Sequence, residues 1–217
     1  MATRILLVRH AQSQGNITEA FVGHTDIPLS PLGEKQAKML TEYLKDQKID
    51  AIYSSDLSRA VETIKGVAQT HNLTINTNQA LREVYAGDWE NVVFSTISQE
   101  YPKEAEAWVL DAPNAQTHNG EKMSELATRV VNAVNEIVKQ NDGKTILIAS
   151  HANSIRALES IILEGSLQDG WYKINFVSNA SVSIYDYNNG KYSLVKRNID
   201  DFMGEHITKL KEEYVKR

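Results

Sequence analysis

The sequence predicts an α/β fold with a largely parallel central sheet. Three observations carry this reading: short aliphatic runs bounded by charge, helical periods between them, and a hairpin signature near the C-terminal end. A parallel strand buried on both faces reads as a continuous apolar run, and parallel neighbours need a crossover, which the helices supply.

Ile5 to Val8 is the first such run, between Arg4 and Arg9. Ser30 and Pro31 then start a helix, since a hydroxyl caps free N–H groups and proline suits the first helical position. Gly33, Ala37, Leu40 and Leu44 recur on one face of it. Ala51 to Tyr53 is a shorter strand, followed by a helix that buries Ala60, Ile64, Val67 and Ala68. Another helix presents Met123, Leu126, Val130, Val134, Ile137 and Val138, and stops at Asp142-Gly143. Thr145 to Ala149 is a second long buried strand, succeeded by a helix from Asn153 to Leu163 with Gly165 beyond its end. Ser181 to Tyr187 and Tyr192 to Val195, joined through Asn188-Asn189-Gly190-Lys191, read as a hairpin at the sheet edge.

No repeat and no Gly/Ser- or Pro-rich linker divides the chain, so residues 1–217 are read as one domain. Asn91 to Asn119 breaks the alternation, carries Pro102 and Pro113, and is read as a lid-like excursion over one sheet edge. Phe202 to Arg217 reads as a charged amphipathic helix with Ile207, Leu210 and Tyr214 on one side. It is expected to pack on its own domain or on the second subunit of a homodimer.

The chain has 23 basic and 28 acidic residues, a net charge of −5, which disfavours a protein that coats nucleic acid or anionic lipid. Cysteine is absent, which excludes disulfides, thiolate catalysis and cysteine-ligated metal. Only four consecutive apolar residues, Ile5 to Val8, lie between the first arginines, too few for a signal peptide or a membrane span, so a cytoplasmic protein is expected.

In an open α/β sheet the ligand crevice lies beyond the carboxyl ends of the strands. Arg9-His10 follows the first strand, Ser54-Ser55-Asp56 with Arg59 follows the second, and Ser150-His151 follows the strand from Thr145. If these strands are neighbours, two histidines and two arginines converge on one rim, a set suited to a phosphate dianion, with Ser13 and Asn16 as further donors. A metal site of His10, His24 and His151 is the weaker alternative, because flanking arginines repel a divalent cation and no His-Glu-x-x-His helix occurs. His24, His71, His118 and His206 are read as structural, and Arg82, Arg129 and Arg156 as surface or supporting cations. No metal and no cofactor is expected.

With those residues in view, the chain resembles the histidine phosphatase superfamily, which includes cofactor-dependent phosphoglycerate mutases. The resemblance runs from Arg4 to about Asp186. It rests on Leu7-Val8-Arg9-His10-Ala11-Gln12-Ser13-Gln14-Gly15-Asn16, Ser54-Ser55-Asp56-Leu57-Ser58-Arg59-Ala60, Leu81-Arg82-Glu83 with Gly87-Asp88-Trp89-Glu90, and Ser150-His151. It implies a three-layer α/β/α, phosphoglycerate mutase-like fold. It also implies that His10 accepts the phosphoryl group, that Arg9, Arg59 and His151 bind its oxygens, that Glu83 donates the proton, and that Asn16 completes the phosphate pocket. These roles agree with the chemistry, since a phosphoryl group in transfer spreads negative charge that fixed cations stabilise.

Some positions depart from the family pattern. Ala11 and Ala152 stand where glycine is usual, and the added methyls are expected to narrow the pocket or shift the preferred ester. Gln12 replaces a common Glu, and Asn91 a frequent glycine. The excursion holds Lys103 against Glu100, Glu104, Glu106 and Asp111, together with Phe94, Tyr101, Trp108 and Val109. Such an acidic roof disfavours a bisphosphorylated carboxylate, so a phosphatase acting on a small phosphate ester is expected ahead of a mutase. A phosphate-binding module without turnover is a third reading, opposed by the intact set of Arg9, His10, Arg59, Glu83 and His151.

Overall fold

A computed structural model describes residues 2–209. In chain order the elements are β1 (Thr3–Arg9), α1 (Gln14–Thr18), β2 (Ala20–Phe21), α2 (Pro31–Leu44), β3 (Ala51–Ser54), α3 (Ser58–Thr70), β4 (Ile75–Thr77), β5 (Val92–Val93), α4 (Phe94–Glu100) and α5 (Pro102–Leu110). They continue with α6 (Met123–Gln140), β6 (Thr145–Ser150), α7 (Ala152–Glu164), α8 (Leu167–Trp171), β7 (Val182–Asn188) and β8 (Lys191–Ile199).

The six-stranded sheet has the order β4-β3-β6-β1-β7-β8. The first four strands are mutually parallel, and β7 and β8 run antiparallel at one side. Alternation along β1 divides the core between two layers. Ile5 and Leu7 pack with α6 and α7 through Met123, Val130, Val134 and Leu158, whereas Leu6 and Val8 pack with α2 and α3 through Leu40, Leu44, Ile64 and Val67.

Local signals behave as their chemistry requires. Ser30 Oγ accepts from the Gly33 amide at 3.0 Å, and Pro31 opens α2. Gly165 closes α7 at φ 88°, and Asn189 and Gly190 turn the β7–β8 hairpin at φ 49° and 82°. Three short strands escape the sequence reading: β4, and the β2–β5 pair, each only two or three residues long.

The excursion contains β5, α4, α5 and a 3₁₀ turn at Ala112–Asn114. The tail departs from the helix expected of it. Asp201–His206 is 3₁₀ and broken at Gly204 (φ 51°, ψ −124°), and residues 207–209 are not helical. Met203 instead packs with Ala11 and Ala180, against which Ile207 also lies. Leu210 and Tyr214, also assigned to that helix, lie outside the described residues. Among the described residues no helix is long and apolar enough to cross a membrane.

Candidate active site

Strand register builds the site. β1 pairs with β6 from Arg4↔Thr145 to Arg9↔Ser150, so His10 and His151 leave adjacent strands at the same level. β3 pairs with β6 up to Ser54↔Ala149, which brings Ser55, Asp56 and the start of α3 to the same rim. Arg9, His10, Ser13, Asn16, Arg59 and Glu83 line a cavity of ≈ 300 Å³ there. His151 does not line it. It lies wholly buried against His10, with ring centroids 5.1 Å apart.

His10 Nδ1 lies 2.7 Å from the Ala11 carbonyl, an acceptor, so Nδ1 carries the hydrogen and Nε2 keeps its lone pair. Burial, then the charges of Arg59 and Arg9, hold the His10 imidazole well below its ordinary range, in the neutral form. The same causes, burial first and Arg59 next, act on His151. Neither nitrogen of His151 has a hydrogen-bond partner, and Arg9 Nε has none either. Buried polar atoms are normally paired and these are not; the neutral His151 ring holds one N–H donor and one acceptor, and Arg9 Nε is a donor.

The two arginines are fixed by backbone carbonyls. Arg9 Nη1 donates to Val177 O at 2.6 Å, and Arg59 donates from Nη2 to Gly23 O at 2.7 Å and from Nη1 to Thr25 O at 2.9 Å. Burial lowers Arg9 to about 10, still protonated at neutral pH. The 23–25 loop is itself tied by Glu90, whose carboxylate accepts from the amides of Gly23, His24 and Thr25. Gly23 is required there, since a Cβ would lie 2.3 Å from the Val84 carbonyl. Asn16 Oδ1 accepts from Ser13 N and from Asn179 Nδ2, which turns its Nδ2 donor outward.

Glu83 accepts from Val84 N at 2.9 Å through Oε1 and from Asn153 N at 3.0 Å through Oε2. Arg129 clamps its segment, donating to the carbonyls of Ala80, Arg82 and Glu83 while paired with Glu121. The Glu83 carbonyl also bonds His24 Nε2, so His24 serves this loop and does not join His10 and His151 as a third ligand. Among the described residues no group of three His, Cys, Asp or Glu is spaced to hold a metal. His71 bonds the Leu44 carbonyl, and His118 pairs with Glu104, both away from the cavity.

Three expectations are corrected. The Ala11 methyl packs with Ala180 and Met203 and does not narrow the pocket, although Ala152 does line it. Glu100, Glu104, Glu106 and Asp111 do not line the cavity; the excursion contributes Phe94, Trp108, Val109 and Ala112, and Tyr101 packs on Trp89 and His118 instead. Arg156 is not a surface cation. It is 5% exposed, lines the cavity, and packs against Trp171 and Phe176. Its spacing of four from Ala152, itself just after His151, places both on one helical face and is the signal that would have found it. Asn179, from the loop before β7, carried no such signal.

This fold and this rim define a phosphoryl-binding α/β protein, and comparison with known proteins places it further. Residues 5–200 match the model of the histidine phosphatase superfamily (branch 1), and the chain belongs to that family. It is 30% identical over 203 residues to phosphoserine phosphatase 1 of Hydrogenobacter thermophilus, covering 93% of this chain and 95% of that one. It is 29% identical to a probable phosphoglycerate mutase of Proteus mirabilis, covering 87% of each. Its fold matches that of a mycobacterial glucosyl-3-phosphoglycerate phosphatase with a TM-score of 0.82 at 28% identity, over 92% of this chain and all of the other.

Proposed function

We propose that this protein is a metal-independent phosphatase that hydrolyses small-molecule phosphate monoesters through a phosphohistidine at His10. The observation that carries the reading is the neutral His10 imidazole, oriented by the Ala11 carbonyl and set beside two buried arginines. Nε2 attacks phosphorus and the ester P–O bond breaks, while Glu83 gives its proton to the departing alkoxide. Water then attacks the phosphohistidine, loses a proton to Glu83 and breaks the P–N bond, which restores His10. Arg9, Arg59, Asn16 and His151 supply the fixed positive charge and donors that the transferring group needs, with Ser13 holding Asn16.

Hydrolysis is favoured over mutase chemistry by the cavity wall beyond the phosphoryl end, where Phe21, Phe94, Trp108, Trp171 and Phe176 outnumber the cations Arg156 and Lys209. The reading takes residues 1–217 as one domain with residues 91–119 as its lid, in a cytoplasmic setting, and allows a homodimer.

A quenched reaction with a labelled phosphate ester tests it. Acid-labile, base-stable label is expected on the wild-type protein and not on His10→Ala, and activity is expected to survive exhaustive chelation. Label that persists in His10→Ala would overturn the assignment. With 3-phosphoglycerate and 2,3-bisphosphoglycerate, rapid isomerisation without phosphate release would establish the mutase instead.

A further inference from the structure

The cavity has a second cationic feature that the hydrolytic chemistry does not use. Arg156 sits in the corner of two aromatic rings that meet edge to face at 89°, its Cζ 4.3 Å from the centroid of Trp171 and 4.5 Å from that of Phe176. Nε donates to the Trp171 carbonyl at 3.0 Å and Nη2 donates to the same oxygen, so one edge of the guanidinium is anchored to backbone. Among the described residues Nη1 has no partner, and it is not among the unpaired atoms shut away from solvent. Arg156 is 5% exposed and lines the cavity. A planar guanidinium with Nε and one Nη2 hydrogen engaged keeps two parallel N–H donors on its outer edge, the fork that matches a carboxylate.

The surroundings favour an anion as the missing partner. No carboxylate among the described residues pairs with Arg156, whereas its neighbour Arg197 is paired with Glu159. A guanidinium packed against two rings and tied to a backbone carbonyl has lost much of its rotamer freedom before any ligand arrives, so less ordering remains to oppose binding. If Arg156 only joined α7 to α8, its bonds to the Trp171 carbonyl would suffice and the outer edge would not open on the cavity.

We infer that Arg156 is a specificity-determining residue that receives a carboxylate on the leaving alcohol of the phosphate ester, in the part of the cavity it lines with Trp171 and Phe176. This rests on the phosphatase reading above. The preferred substrates are therefore phosphate monoesters of hydroxy acids, with the phosphoryl group at His10 and the acid on Arg156.

Matched esters that differ by one carboxylate test it on the full chain: phosphoserine against phosphoethanolamine, and 3-phosphoglycerate against glycerol 3-phosphate. Wild-type protein is expected to favour the acid of at least one pair by about tenfold or more in kcat/KM, the scale of one charge-assisted hydrogen bond. In Arg156→Gln that preference is expected to collapse to within about threefold, chiefly through a raised KM for the acid, with hydrolysis of the carboxylate-free partner retained; this threshold follows from losing most of one such bond. Arg156→Lys, which keeps the charge and loses the fork, is expected to fall between the two. The ratio within one variant is unaffected by how much of that variant is folded. Wild-type hydrolysis without preference in either pair would overturn the assignment, as would a preference unchanged in Arg156→Gln. Hydrolysis of no ester at all by wild type would overturn the phosphatase reading, and the substrate class with it.

Discussion

The imidazoles of His10 and His151 lie 5.1 Å apart at a tilt of 54°, and neither nitrogen of His151 has a partner in the protein. The Arg9↔Ser150 register sets this pairing, since each histidine is the next residue of an adjacent parallel strand. A phosphoryl group on His10 would give the His151 donor an oxygen to bond. His151→Ala is therefore expected to lower kcat by about 10²–10³-fold, the cost of removing one donor to a developing anion, while label on His10 still forms slowly. Complete loss of labelling in a folded variant would assign His151 a larger role than donation.

Both imidazoles are held neutral in the folded protein by burial first and by arginine charge next. A histidine in the unfolded chain takes up its proton at a pH of about 6.5. Below that pH the unfolded chain binds protons that the folded protein refuses, so this contribution to stability is full above it and declines as pH falls toward the depressed folded values. The midpoint of thermal denaturation should drop between pH of about 7 and about 5, and the drop should be shallower for the His10→Asn, His151→Asn double variant. Equal slopes for the two proteins would contradict the burial of neutral rings.

Glu83 can be tested through the leaving group. A general acid contributes about 10²–10⁴-fold when the departing oxygen is strongly basic, and less for a nitrophenolate. Glu83→Gln should slow phosphohistidine formation far more from an alkyl than from an aryl phosphate. The first step must be followed by rapid quench, because Glu83 also serves the second. Equal losses would leave Glu83 only a positioning part.

Arg129 donates to three successive-turn carbonyls and to Glu121, and so holds the segment that carries Glu83. Arg129→Met should cost about 2–3 kcal/mol in denaturant unfolding, the scale of losing charge-assisted hydrogen bonds at a partly buried site. It should also lower kcat more than it raises KM, since Glu83 is displaced while Arg9 and Arg59 keep their own carbonyl anchors. Unchanged kcat would show that Arg129 supports the fold alone.

The buried strands, the capped helix at Ser30 and the convergence of Arg9, His10, Arg59 and His151 are legible in the chain itself, whereas Glu83 entered only through the family resemblance. Their signals are local: an apolar run marks a strand, and in a parallel sheet the residues just after such runs occupy the binding edge. Short strands such as β4 carry too few residues to show a period, and the 3₁₀ turn at Gly204 hides inside an apparently amphipathic tail. Which residues of the excursion meet the cavity was also beyond composition, because Glu104 and Trp108 share one face of a short helix, yet Trp108 lines the cavity while Glu104 pairs with His118. The partners of Arg156, and the roles of Asn179 and Arg129, belong to the same class. Each makes its contacts with distant segments, and a side chain's partners across the fold are set when the layers pack, not by its neighbours in the chain.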